Sequence, residues 1–253
     1  MSSSSQFLTP LDPTDVRRLS AEEIKVKVVV IGAPRIGKTT LCRRYFWDVY
    51  TAPDEQSTMA RDYYRKTCYT MGKTIALEGN DVPGQQNFRE MTCNFFRGAH
   101  AIVLVTSLDD PTTWDDALLW LDRARELEPC LTGSDPAANM KVPVILAANM
   151  CDKANHCRNE QEISAFADRI HASHWCMTSG RANTNVAELF NAAIATGVRA
   201  QAAAKESRSQ LRIAEVANGG GEAGRTTQPK VVLFQGGRGG KKGDKDSGEK
   251  CKC

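Results

Sequence analysis

Gly32-Ala33-Pro34-Arg35-Ile36-Gly37-Lys38-Thr39 follows directly on Val26–Ile31, a run interrupted only by Lys27. The octapeptide fits G-x-x-x-x-G-K-[ST] in the setting that this pattern needs, a turn from a buried strand into a helix. The residue types account for the chemistry. Gly32 and Gly37 let the main chain close around phosphate oxygens with N–H groups turned inward. Lys38 brings a point charge to β/γ-phosphates, and the Thr39 hydroxyl suits Mg²⁺. Thr40–Trp47 reads as a helix whose positive end faces the anion. Ala33, Pro34, Arg35, Ile36 and Thr40 complete the candidate phosphate site.

Working outward, Ile24–Ile31, Ala101–Ser107 and Val142–Ala148 are apolar runs suited to buried parallel strands. Pro143 stands near the start of its run, where a missing N–H does least harm. Arg61–Thr70 and Thr74–Glu78 flank Met71-Gly72-Lys73 and predict a hairpin. Trp175–Thr178 reads as a short last strand. Helical patterns lie between. Thr112–Leu127 sets Trp114, Leu118, Leu121 and Arg125 on one face and stops before Pro129. Glu160–His171 carries the stripe Ile163, Phe166, Ala167 and Ile170. Val186–Ala203 carries Val186, Phe190, Ala193 and Ile194. The alternation predicts an α/β fold with a six-stranded, mostly parallel sheet covered on both faces. In such folds ligands bind at the carboxyl ends of the strands.

The chain is 253 residues long, 41% hydrophobic and 25% charged, which suits one globular domain with appendages. Residues 1–23 read as a disordered lead-in, 24–203 as the domain, and 204–253 as a flexible tail with Gly219-Gly220-Gly221 and Gly236–Gly240 as linker chemistry. A net charge of +3 does not argue for nucleic acid. Met1–Gln6 has no apolar core of a secretory signal, and no run suits a membrane span. The nine cysteines have no zinc-finger spacing and read as reduced thiols of a cytosolic protein.

Further motifs fall at strand ends. In Asp81-Val82-Pro83-Gly84-Gln85, the Asp81 carboxylate suits a Mg²⁺-bound water, the Gly84 N–H a γ-phosphate, and Gln85 an attacking water. In Asn149-Met150-Cys151-Asp152, the Asp152 carboxylate can accept from N1–H and N2–H₂ of guanine, donors that adenine lacks in that arrangement. Asn149 can tie this loop to the phosphate loop. Thr178-Ser179-Gly180-Arg181 offers the Gly180 N–H to a base carbonyl.

Taken in order, these motifs resemble the small GTPases of the Ras superfamily. Three stretches point to the Rab branch. Ser57-Thr58-Met59-Ala60-Arg61-Asp62-Tyr63 lines up with a switch I of the form S-T-I-G-V-D-F. Asn87–Ala99 is similar to the switch II helix with its R-G-A exit, and Thr178–Val186 to T-S-A-K-N-A-T-N-V. The resemblance covers about residues 24–200. It implies binding and hydrolysis of GTP, with GDP as product. Thr39, Thr58 and Asp81 would be Mg²⁺-associated, and Gln85 catalytic. Hydrolysis would be slow without a GAP. It also implies a GEF, a GDI, a Rab escort protein, a prenyltransferase, and effectors at the switches. The protein would be a vesicle-traffic switch, cycling between cytoplasm and an endomembrane.

Departures from the family pattern are concentrated near the site. Pro34 and Arg35 stand where small residues are usual, Pro83 where Ala is, Ala60 at the switch I glycine, and Met150 at the Lys of N-K-x-D. Asn80 stands where a Trp is common, so the aromatic set between the switches reads Tyr63, Asn80, Phe95. That loss implies effectors unlike those of ordinary Rabs. An alternative reading is a nucleotide-holding interaction module in which Pro34, Arg35 and Pro83 prevent turnover. Lys250-Cys251-Lys252-Cys253 resembles the C-x-C signal for two geranylgeranyl groups on Cys251 and Cys253. Val231-Val232-Leu233-Phe234 is an apolar island, read equally as an escort or GDI docking site or as a chance cluster.

Overall fold

The computed structural model describes residues 12–19, 23–50, 62–70, 73–83, 96–126 and 142–218. In chain order the elements are α1 (Pro13–Arg18), β1 (Glu23–Ile31), α2 (Lys38–Trp47), β2 (Asp62–Thr70), β3 (Lys73–Asp81) and β4 (Ala101–Ser107). They continue with α3 (Thr112–Glu126), β5 (Val144–Asn149), α4 (Glu160–Arg169), β6 (His174–Met177) and α5 (Val186–Asn218). Among the described residues the strands form one six-stranded sheet in the order β2-β3-β1-β4-β5-β6. The hairpin pair β2–β3 is antiparallel, and every other neighbouring pair is parallel.

Strand period explains the two cores. Side chains alternate across a sheet, so Ile24, Val26, Val28 and Val30 of β1 enter one core and Val29 and Ile31 the other. The first core is closed by Leu41, Cys42 and Phe46 of α2 and by Val186, Leu189, Phe190, Ala193 and Val198 of α5. Phe46 stacks on Tyr64 of β2 (5.2 Å) and meets Phe190 edge-on (5.7 Å). The second core is closed by Trp114, Trp120 and Leu121 of α3 and by Ile163, Phe166 and Ala167 of α4. Gly79 in β3 has no room for a side chain, because a Cβ there would lie 2.6 Å from Phe46. The Asn159 capping box starts α4.

The strand bounds shift in ways that matter for the site. β5 begins at Val144, after Pro143, whose carbonyl accepts from Ile102 N–H at 2.9 Å. It runs on to Asn149, paired in register with Ser107. β3 likewise extends to Asp81. The last strand is one residue earlier than expected. On α3 the buried face is Thr113, Trp114, Ala117, Trp120, Leu121 and Ala124. Leu118 is only partly buried and Arg125 is exposed, its guanidinium donating to the Ile170 carbonyl.

Two segments correct the expectation of unstructured ends. Within the expected lead-in, Asp12 caps α1 by accepting from Thr14 N–H at 2.8 Å, and Pro13 opens the helix. Val16 is only 1% exposed and belongs to the first core. Beyond residue 203, α5 continues through Asn218 instead of ending. The apolar stripe fades there, yet Ala, Lys, Glu, Gln and Arg are strong helix formers. The two segments hold each other. Arg18 pairs with Glu206 at 2.9 Å, Lys205 Nζ donates to the Arg18 carbonyl at 2.9 Å, and Arg199 lies 3.7 Å from Asp15. Val16→Asp places a charge in this seam and is expected to cost about 2–3 kcal/mol. Hydrogen exchange should show faster exchange in 199–210, with protection kept in 186–198.

Candidate functional site

The carboxyl ends of β1, β3, β4, β5 and β6 converge on one end of the sheet. The loop after β1 turns sharply: φ is +141° at Gly32, +64° at Arg35 and +87° at Gly37. A Cβ at Gly32 would lie 2.4 Å from the Val105 carbonyl oxygen, and one at Gly37 would lie 2.6 Å from the Asn149 amide nitrogen. Both glycines are therefore required twice, by conformation and by space. Ala33 and Ile36 are buried and anchor the loop, while Pro34 and Arg35 are exposed at its tip. Arg35 adopts a left-handed conformation that costs a non-glycine residue about 1 kcal/mol or more, which gives a physical reason for the small residues usual there.

Lys38 is buried at the start of α2. Its ammonium donates to the carbonyls of Gly32 (3.1 Å) and Ala33 (2.7 Å), drawing the loop around itself. Burial pushes its pKa below the ordinary lysine range, and the Asp81 charge acts in the opposite direction. The neighbouring Thr39 hydroxyl donates to the Asp81 carboxylate at the end of β3. A hydroxyl and a carboxylate oxygen beside a phosphate loop form a hard-oxygen donor set that fits Mg²⁺, which takes few protein ligands and completes its shell with water and phosphate. Among the described residues no cluster of three or more His, Cys, Asp or Glu side chains could hold a metal by itself.

The other half of the candidate site is built around Asn149, which is 3% exposed. Its amide nitrogen donates to the Ile36 carbonyl at 2.7 Å, and its amide oxygen accepts from the Thr178 hydroxyl at 3.2 Å. One side chain thus joins the phosphate loop, β5 and the end of β6. Asp152 is exposed, and its carboxylate accepts from the Ser179 hydroxyl at 2.7 Å. Ser179 also accepts from Ala182 N–H at 2.9 Å, which fixes the turn carrying Gly180 and Arg181. A Cβ at Gly180 would lie 2.9 Å from the Thr40 methyl, so only glycine permits this approach to α2. Met150, between Asn149 and Asp152, has φ +67°.

The structure brings together Gly32, Ala33, Pro34, Arg35, Ile36, Gly37, Lys38, Thr39, Thr40, Asp81, Asn149, Met150, Asp152, Ser179, Gly180 and Arg181. Thr58, Gly84, Gln85, Phe95, Val231–Phe234, Cys251 and Cys253 lie outside the described residues. Sequence reasoning did not single out Arg44. Its guanidinium donates to the carbonyls of Gly180 (3.2 Å) and Arg181 (3.3 Å), tying α2 to the last loop. A contact across 136 residues leaves no local pattern to read.

Replacing Asn149 with Ala strands the buried Ile36 carbonyl and Thr178 hydroxyl. Urea unfolding is expected to show a loss of about 2–3 kcal/mol.

The geometry agrees with what comparison with known proteins finds. A profile of the Ras family matches residues 27–199. Mouse Ras-related protein Rab-12 is 30% identical over 173 residues, covering 66% of this chain and 65% of the relative. The chain thus spans just under two thirds of that relative's length. Human Rab-like protein 2A is 30% identical over 173 residues, covering 68% and 69%. RabH of Dictyostelium discoideum is 28% identical over 171 residues, covering 67% and 79%. The glycine-bounded loop, the Thr39–Asp81 pair and the Asn149 tie all fall within the matched span, and the chain belongs to the Ras family, in its Rab branch of small GTPases.

Proposed function

We propose that this protein binds GTP, hydrolyses it slowly to GDP and phosphate, and uses the cycle as a switch in membrane traffic. The observation that carries this reading is the Asn149 side chain, which joins the phosphate loop to the segment bearing Asp152 and Gly180. A phosphate site and a base site are thereby set at a fixed separation.

The chain's own groups have separable tasks. Main-chain N–H groups of 35–39 would surround the β-phosphate, with Lys38 on the β/γ oxygens. Its present contacts to two carbonyls show that the ammonium is already aimed inside the loop. Bound Mg²⁺, held through Thr39 and Thr58 with Asp81 on one of its waters, would neutralise charge on the phosphates. Asp152 would accept from two guanine N–H groups, steadied by Ser179, while the Gly180 N–H would donate to the base carbonyl. Gln85 would orient the attacking water, and Gly84 would sense the γ-phosphate. Thr58 and Gly84 would order the switches with GTP and release them after hydrolysis. Retention of Gln85 in the sequence favours turnover over a module that only holds nucleotide.

Partners follow in general form: a GEF, a GAP, a GDI and effectors, with membrane attachment through prenyl groups on Cys251 and Cys253. Among the described residues no helix is long and apolar enough to cross a membrane. Tyr63 is 46% exposed, whereas the Asn80 side chain is buried. This pairing supports an effector set distinct from those that need a second aromatic there.

Asp152→Ala removes two charge-assisted hydrogen bonds of about 1.5–3 kcal/mol each and is expected to weaken GTP roughly 10²–10⁴-fold in a labelled-nucleotide titration. ATP should compete poorly against the unaltered protein; equal competition would refute guanine selectivity. Gln85→Leu should slow single-turnover hydrolysis at least tenfold, about 1.4 kcal/mol of barrier, with GTP still bound. An unchanged rate removes Gln85 from the mechanism. In cell fractionation, Cys251→Ser with Cys253→Ser should abolish membrane association, and either single change should leave weak, reversible association.

A further inference from the structure

The thioether at position 150 has a polar partner of its own. Ser107, the last residue of β4, is 1% exposed, and its hydroxyl donates to Met150 Sδ at 3.3 Å. Ser107 is itself held at further points. Its N–H donates to the Thr113 hydroxyl at 2.9 Å, and its carbonyl accepts from the Trp114 indole N–H at 2.9 Å. Its hydroxyl oxygen also accepts from Asp109 N–H at 3.1 Å. Met150 is restrained at its other end, by a left-handed φ of +67° between Asn149 and Asp152 and by its carbonyl, which accepts from Lys153 N–H at 3.1 Å. Methionine is normally the most adaptable apolar side chain, with three freely rotating bonds. Here both of its ends are fixed.

We propose that Ser107 is a positioning residue for the guanine base. It holds the Met150 side chain as one wall of the base site, where a polarizable thioether can meet the face of an aromatic ring. The inference rests on the guanine-nucleotide reading and deepens it. Where the family's lysine offers an ammonium, this chain presents a soft apolar surface, and that surface aids binding only if it is kept in one rotamer. The buried hydroxyl supplies that constraint from β4, an element that carries none of the sequence motifs.

The test is a double-mutant cycle read as the dissociation rate of fluorescently labelled GDP from the full chain. Ser107→Ala is expected to speed release about three- to tenfold, and Met150→Leu to do the same. In the Met150→Leu background, Ser107→Ala should change the rate by less than about twofold. Asp109 N–H loses its acceptor in both backgrounds, so that loss cancels. Equal acceleration by Ser107→Ala in both backgrounds, or none in either, overturns the proposal. Methyl NMR of the unaltered GDP-bound protein does not depend on the variants folding. A Met150 ε-methyl ¹³C shift at a single-rotamer value is expected, and one at the value averaged over rotamers overturns the proposal. Failure of the unaltered protein to bind labelled GDP overturns both this inference and the reading beneath it, whereas normal binding without coupling overturns the positioning role alone.

Discussion

The amide of Asn149 is the constraint on which the site depends. It leaves the end of β5, donates to a carbonyl of the glycine-bounded loop and accepts from Thr178, just past β6. Without it, the loop after β1 would lose its bond to the end of β5, and the turn after β6 would be tied to that loop indirectly, through Arg44 of α2. With it, their separation is set by one planar group whose donor and acceptor faces cannot exchange without leaving both partners unpaired. The sheet makes this possible, because parallel strands deliver their carboxyl ends to one side. The two cores then hold the sheet rigid enough for a hydrogen bond between distant segments to persist.

Most of this arrangement could be read in the sequence, because it depends on short-range signals. Strand period, glycine spacing and the polar residues closing each apolar run are local. The strands hold at Val28–Ile31, Ala101–Ser107 and Ile145–Ala148 because their residues are apolar on both faces. The readings that shifted have a common cause. Val16 is the single apolar residue within α1, with only Leu19 three places on to suggest a face, and its burial depends on α5, far along the chain. The continuation of α5 past residue 203 rests on intrinsic propensity and on α1, not on an apolar stripe. Arg125 has the right spacing for α3's buried face, but the helix is rotated so that Ala124 faces inward. Arg44 and Ser107 carry no local signal, because the partners that matter, Gly180 and Arg181 for one and Met150 for the other, are far off in sequence.

The departures from the family pattern also have a structural logic. Arg35 and Met150 share a left-handed backbone, one in each loop flanking the Asn149 tie. The fold therefore tolerates strain at both without losing the tie. Pro34 stands beside Arg35 at the exposed tip, where the loop's anchors are Ala33 and Ile36 instead. These three deviations lie in the two loops, whereas the side chain that holds the loops to each other is Asn149.

The length of α5 has a mechanical consequence. A helix of 33 residues is roughly 50 Å long at 1.5 Å per residue, and only its first half lies along the sheet. Its next turns are braced by α1, through Arg18 with Glu206 and Lys205. Any attachment made farther along would act on the globular part through a stiff lever. The direction in which the nucleotide end of the sheet faces would then be decided at the opposite pole, by the short N-terminal brace.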